Sequence, residues 1–260
     1  MSRGGRASRL ATVTVGSGGR KIAFVHGFTQ THMSWMPLLE SLSKDLPDVI
    51  SVLVDLPGHG DSTDVVADLR KTADLLVDAI GPATYVGYSL GARVVLHAAF
   101  QHPDRIENCI LISGTAGIED ERERAARRAS DDALAERVIE IGTEAFVDQW
   151  LAQPIFASLS ADVSQRTQRL VNTPQGLANS LRTCGTGTQE PLWDRLNEFP
   201  VPALLIVGSL DDKFRFIAER MHRLMPASQI AVIDGAGHSA HLEMPATVAV
   251  EVARWLRMQH

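Results

Sequence analysis

Six short, nearly continuous apolar runs punctuate the chain: Ile22–His26, Val49–Asp55, Ala83–Gly87, Ile106–Ser113, Ala203–Gly208 and Gln229–Asp234. Each is rich in Val, Ile and Leu and bounded by turn residues, the pattern of strands covered on both faces, as in a parallel sheet. Between them, apolar positions recur with helical spacing over Ser34–Lys44, Thr63–Ile80, Ser89–His102, Phe214–Met225 and Ala246–Met258. Strand–helix alternation of this kind predicts an α/β fold: a mostly parallel sheet flanked by helices and joined by right-handed crossovers.

The rhythm breaks once. From Gly114 to Trp193 no buried strand is predicted, and helical patterns cover Glu119–Ile141, Thr143–Leu151, Ser160–Leu170 and Gly176–Thr183, separated by Pro and Gly. Helices inserted between two core strands suit a lid over a site. The expected organisation is therefore a core of residues 1–113 and 194–260 with a lid of residues 114–193. No internal repeat or low-complexity segment interrupts it.

Composition narrows the classes without changing that picture. Hydrophobic residues make up 45% and charged residues 22%, as in globular chains. A net charge of −6 offers no surface for nucleic acid or anionic membrane, so basic residues at a site must act locally. The longest uncharged stretch, Ile22 to Leu39, is broken by His26, Gly27 and Pro37 and reads as no membrane span. Arg3, Arg6 and Arg9 precede the first acid, Glu40, as in a transit peptide, but a strand starting by Ile22 leaves no cleavable length. Cys109 and Cys184 match neither a disulfide framework nor metal-ligand spacing; both read as structural, in a reducing cytoplasm.

The sharpest chemical signal is Gly87-Tyr88-Ser89-Leu90-Gly91, which follows a predicted strand and opens a predicted helix. In that context G-x-S-x-G is a tight turn that lifts the serine hydroxyl above the sheet edge, near the positive end of the helix. A serine needs a histidine oriented by a carboxylate. His238, in Gly235-Ala236-Gly237-His238 after the last strand, is the first choice, with His241 next; His97 and His102 belong to the helix after Ser89 and pack or face solvent. The acid should follow the preceding strand, where Asp211 is favoured and Asp212 is its neighbouring alternative. The order Ser89, Asp211, His238 is that of α/β hydrolases. The amides of Phe28, at the end of His26-Gly27-Phe28, and of Leu90 are placed to converge on a developing negative oxygen. His26, His59 and Asp61 read as loop-ordering residues.

Taken together, these features resemble the α/β-hydrolase superfamily over essentially the whole chain. Further segments resemble one family within it, the 2-succinyl-6-hydroxy-2,4-cyclohexadiene-1-carboxylate synthases of menaquinone biosynthesis. They are Tyr88-Ser89-Leu90-Gly91-Ala92-Arg93, Trp150–Leu159, Gly176–Arg182 with Gly185-Thr186-Gly187, Asp211–Phe214 and Gly237–His241. The resemblance implies a lyase that eliminates pyruvate from 2-succinyl-5-enolpyruvyl-6-hydroxy-3-cyclohexene-1-carboxylate. Ser89 would be the base, driven by His238 with Asp211 holding the imidazole, and the Phe28 and Leu90 amides would hold charge on the succinyl carbonyl. It also implies substrate contacts from Tyr88, Arg93, Arg127, Trp150, Arg169 and Lys213. The family's glycine after Gly91 is Ala92 here.

The physics of a small polyanionic partner agrees, because an acidic protein must place arginines inside the site to pair with carboxylates. Arg124, Arg127 and Arg128 share a helix face, and at least one is expected to point inward, although seven acids between Glu119 and Arg137 equally suit a solvated helix. Arg93 has a surface alternative, and Trp150 a lid-core one. A serine esterase or carbon–carbon bond hydrolase would need the same three residues, and a non-catalytic ligand-binding protein would not need them intact. No cofactor or metal is expected.

Overall fold

The computed structural model describes residues 9–259; Arg3 and Arg6 lie outside the described residues. Seven strands form one sheet: β1 (Thr12–Val15), β2 (Arg20–Val25), β3 (Val49–Val54), β4 (Ala83–Tyr88), β5 (Ile106–Ile112), β6 (Ala203–Gly208) and β7 (Ser228–Ile233). Their order is β1-β3-β2-β4-β5-β6-β7, and every neighbouring pair is parallel except β1 with β3.

The continuous apolar runs work because successive side chains feed two separate cores. In β2, Ala23 and Val25 join a cluster with α2 (Leu69–Ile80), α3 (Leu90–Gln101) and α7 (Asp212–Leu224). Ile22 and Phe24 point the other way, against α1 (Met36–Asp45) and α9 (Pro245–Arg257). Burying one such side chain contributes roughly 1.5–3 kcal/mol, so a one-residue slip of β2 would exchange both cores at once.

Among the described residues, the chain between β5 and β6 holds helices and no strand: α4 (Glu121–Leu151), α5 (Arg166–Arg169) and α6 (Pro174–Cys184). Gly142, at φ 78° and ψ 168°, breaks α4 into two arms, a backbone conformation that only glycine adopts readily. Ala135 and Val138 of the first arm and Phe146 of the second pack with Leu177, Ala178 and Leu181 of α6. This third apolar cluster sits over the carboxyl end of β2, because Phe28, just past that strand, packs against it.

Three elements differ from the pattern reading. Strand β1 was not anticipated: it is short, largely exposed, and defined only by pairing with β3 across the sheet. The helix expected from Thr63 starts at Leu69, where the Asp68 side chain accepts from the Lys71 amide and caps it; Val65 instead closes a turn onto Ser62. The helix expected over Ser160–Leu170 shrinks to Arg166–Arg169, since Gln165 takes a left-handed φ of 55° and ends regular structure before it.

Candidate active site

Strand β4 runs directly into α3 through Ser89, whose φ of 50° and ψ of −104° are strained for a side-chain-bearing residue. Such a conformation costs of order 1–3 kcal/mol and survives only where the surroundings enforce it. Here they do. A Cβ on Gly91 would lie 2.0 Å from the Val25 carbonyl oxygen, and one on Gly87 would lie 2.5 Å from the Gly91 backbone. Only glycines let the helix start this close to the sheet, and the turn leaves the Ser89 hydroxyl at the carboxyl edge.

The other two groups arrive on neighbouring strand ends. Asp211 follows β6 and caps α7: its Oδ1 accepts from the Phe214 amide at 3.2 Å, while Oδ2 accepts from His238 Nδ1 at 2.7 Å. One carboxylate thus both starts a helix and orients an imidazole. His238 Nε2, left as an acceptor, lies 3.3 Å from Ser89 Oγ. Ser113, after β5, donates from Oγ to the His238 carbonyl at 2.8 Å. The rings of Phe214, Tyr88 and Phe156 surround the imidazole at centroid distances of 4.4, 5.5 and 6.1 Å. Among the described residues, neither the Phe28 nor the Leu90 amide has a protein acceptor, so both donors are available to a ligand oxygen.

The loop carrying Phe28 is held by buried neutral histidines. The Leu56 amide donates to His26 Nε2 at 3.1 Å and the Thr29 amide to His59 Nε2 at 3.2 Å. Burial lowers the His26 pKa to about 4 and that of His59 to about 3, so both ring nitrogens stay free to accept. His241, the second choice for the relay, is wholly buried under Tyr88 and Trp35, with its pKa pushed far down by burial and the nearby Arg169 charge. It does not reach Ser89.

A cavity of about 550 Å³ opens above Ser89, a size suited to a small organic ligand. Phe28, Leu90, Tyr88, Arg93, Arg127, Trp150, Arg169, Lys213, Ser89 and His238 all line it; Asp211 lies behind the imidazole. Its cations differ in how committed they are. Arg93, 7% exposed, donates to the Cys184 and Gly185 carbonyls at 2.8 and 3.4 Å, and burial pulls its pKa down to about 10. Arg127 is the inward-facing member of its trio and ties its Nε to Asp131 at 2.8 Å. Arg124 bonds the Ile118 and Glu119 carbonyls, and Arg128 that of Gly187. Arg169, 2% exposed, donates to Ser164 and Thr29, yet its Nη2 is buried without a protein partner, and burial lowers its pKa to about 10. Lys213 is exposed at the rim.

Trp150 settles into both of its anticipated positions: it packs on the α4–α6 cluster and lines the cavity, its Nε1 buried without a protein partner. The pattern reading overlooked Phe156, Phe214 and Arg220. Phe214, Ile217 and Arg220 recur every three residues along α7 and face the cavity, a spacing visible in the sequence. Arg220 stacks over Trp193 and forms a two-pronged pair with Glu119. Among the described residues no group of three or more His, Cys, Asp or Glu side chains is arranged to hold a metal ion, and no helix is long and apolar enough to cross a membrane.

Comparison with known proteins follows the same lines. Residues 22–252 match the model of the alpha/beta hydrolase family. A 2-succinyl-6-hydroxy-2,4-cyclohexadiene-1-carboxylate synthase of Salmonella heidelberg (strain SL476) is 36% identical over 252 residues, covering 93% of this chain and 95% of that protein. Among solved structures, MenH from S. aureus superposes with a TM-score of 0.84 at 31% identity, over 95% of this chain and 98% of that one. An esterase from Thermogutta terrifontis with malate bound gives 0.81 at 26% identity, over 96% and 94%.

Proposed function

The chain belongs to the alpha/beta hydrolase family and, within it, to the 2-succinyl-6-hydroxy-2,4-cyclohexadiene-1-carboxylate synthases, and we propose how its residues carry out their reaction. The reaction is elimination of pyruvate from 2-succinyl-5-enolpyruvyl-6-hydroxy-3-cyclohexene-1-carboxylate, a carbon–oxygen lyase step. In this reading residues 114–193 are a lid on a core formed by the described residues of 1–113 and 194–260. Ser89 Oγ, its proton drawn to His238 Nε2, takes a proton from the substrate ring. The electron pair left behind forms a C2–C3 double bond, the ring's C3–C4 π pair shifts to C4–C5, and the C5–oxygen bond breaks. The departing enolate takes back the proton held by His238 and becomes pyruvate. Asp211 keeps the imidazole in the tautomer that can accept and stabilises the imidazolium formed. The Phe28 and Leu90 amides hold the negative charge that develops on the succinyl carbonyl oxygen.

The observation that carries this reading is the cavity wall. A hydroxyl–imidazole–carboxylate chain lies at the floor of a pocket into which Arg93 and Arg169 bring buried guanidinium groups, one with an unpartnered donor. Buried unpaired cations are costly unless a ligand anion completes them. A small polyanion does so; a neutral ester does not. Tyr88, Arg127, Trp150 and Lys213 complete the proposed substrate contacts.

An esterase reading draws on the same serine turn and on the likeness to the Thermogutta esterase. The two are separated by incubating the protein with the enolpyruvyl precursor and following pyruvate release. Elimination gives rapid pyruvate with no solvent oxygen in the ring product, and poor turnover of simple esters. Fast hydrolysis of neutral esters without pyruvate would leave the hydrogen-bonded chain standing and remove the lyase.

A further inference from the structure

The histidine loop is held by a group outside the Ser–His–Asp chain. Glu243 ends α8 (Ala240–Glu243), a single turn after His238. Its Oε2 accepts from the Gly237 amide at 2.8 Å and its Oε1 from the Ser239 amide at 2.9 Å. One carboxylate therefore grips the backbone on both sides of His238, while Ser113 grips its carbonyl. The loop has no slack elsewhere. A Cβ on Gly237 would meet Ser158 of the α4–α5 connection at 2.0 Å and Glu243 Oε2 at 3.3 Å, and Gly208 of β6 leaves room only for the Ala236 and Gly237 carbonyls. On the far side the Ser239 hydroxyl pairs with Tyr88 at 2.8 Å.

We infer that Glu243 is a positioning residue for the reaction, setting where His238 Nε2 meets Ser89 through two charge-assisted hydrogen bonds to the flanking amides. Such bonds are about twice as strong as neutral ones. The 3.3 Å separation of Nε2 from Ser89 Oγ is already long; a further shift of the loop would break the proton path while leaving Arg93 and Arg169, held by other elements, in place. Glu243 acts through His238 and touches no substrate. The inference rests on His238 being the relay.

The test uses the full-length protein and the pyruvate-release reaction. In Glu243→Gln one oxygen still accepts, and the amide group faces the second N–H donor; in Glu243→Ala both amides lose their partner. We expect kcat about tenfold lower for the glutamine variant and about 100-fold lower for alanine, as for a displacement of about 1 Å in a reacting group. KM should stay within threefold, because the arginines do not move. The far-downfield proton between His238 and Asp211 should broaden or vanish in NMR spectra. Glu251→Gln, which removes a surface carboxylate paired with Arg254, should match the native enzyme. Native kcat in both Glu243 variants, or a parallel fall of kcat, substrate affinity and melting temperature, would overturn the positioning role. Should Ser89→Ala and His238→Ala themselves retain full activity, it is the relay reading that fails instead.

Discussion

The sheet edge and the helical segment above it solve opposite problems. At the edge, polar groups are buried and almost fully partnered: Asp211 satisfies a helix start and an imidazole, and His26 and His59 each accept one amide. Both histidines are held neutral by burial, and the buried carboxylates of Asp55 and Asp211 are tied to backbone amides and histidine rings. Above it, charges are abundant and many are paired within the segment, as Arg127 with Asp131 or Arg166 with Asp148. The exception is Arg169, buried and incompletely satisfied. A rigid floor of partnered groups suits bond making, where donors must not reorganise. A charged wall with one incompletely partnered, buried guanidinium suits recognition of an anion. On the proposed reading, chemistry lies at this edge, while recognition is shared between the helical segment and the core residues Tyr88, Arg93 and Lys213.

If that division holds, substitutions on the floor should abolish turnover and those on the wall should weaken substrate use. The largest effect is expected from Ser89→Ala and His238→Ala, each lowering kcat by about 10²–10⁴-fold, the range of a positioned general base. The double variant should lose little more, because the two groups move one proton. Steady-state pyruvate release measures both. Multiplicative losses would mean that the hydroxyl and the imidazole act independently.

Next in size is the wall. Arg169→Ala should cost on the order of 2–5 kcal/mol in kcat/KM, the range for removing one member of a buried charge pair. Lysine should restore only part, lacking the planar fork. Arg127→Ala should cost less, since its Nε is already committed to Asp131 and its side chain is 39% exposed. Equal losses at the two positions would remove the distinction drawn between open and committed arginines.

The floor was largely readable in advance and the wall only in part, for a physical reason. A serine turn between strand and helix, an acid after β6 and a histidine after β7 are local features, each tied to a backbone requirement that shows in a few adjacent residues. Asp211 could be preferred to Asp212 on position after the strand, and the structure puts it at the helix cap. Phe156 carries no such mark, and the regular spacing of Phe214, Ile217 and Arg220 does not say which way that face points. Whether a helix face or a lid turn meets the cavity depends on how α4, α6 and α7 pack, which no short window contains. The same holds for β1, whose four residues are a strand only because β3 lies beside them. Glu243 carries no mark in the sequence, because its two amide partners are set by the fold of the loop around His238.

A third prediction turns on protonation at the floor. Unfolded histidine binds a proton near pH 6.5, whereas His26 resists it to about 4 and His59 to about 3 because burial penalises the charged ring. Between those values the unfolded chain carries more protons, so stability rises with pH. The contribution is complete above pH 6.5 and is lost as acid approaches the folded values. At pH 4.5 each histidine should cost on the order of 2–3 kcal/mol relative to pH 7.5. Urea unfolding at the two pH values reads this directly; an unchanged free energy would mean that these rings are not held neutral.

The smallest effect is expected at the hinge within the wall. Gly142 joins the arm of α4 that carries Arg127 to the arm that carries Trp150, and both residues line the cavity. Nothing lies within 4 Å of a Cβ placed there, so Gly142→Ala meets no steric obstacle. Its backbone, at φ 78° and ψ 168°, is the whole of the difficulty. Alanine in that region costs about 1–3 kcal/mol, offset by about 0.4–1 kcal/mol from a less flexible unfolded chain. A net loss of about 1 kcal/mol should lower the melting temperature by a few degrees. The arms would also tend to fuse into one straight helix, since alanine favours helix where glycine does not. That would move Arg127 relative to Trp150 and raise KM, while kcat, set by Ser89 and His238 on the floor, should change little. A Gly142→Ala enzyme with native KM but depressed kcat would show that the wall and the floor are coupled, and the division between recognition and chemistry would fall with it.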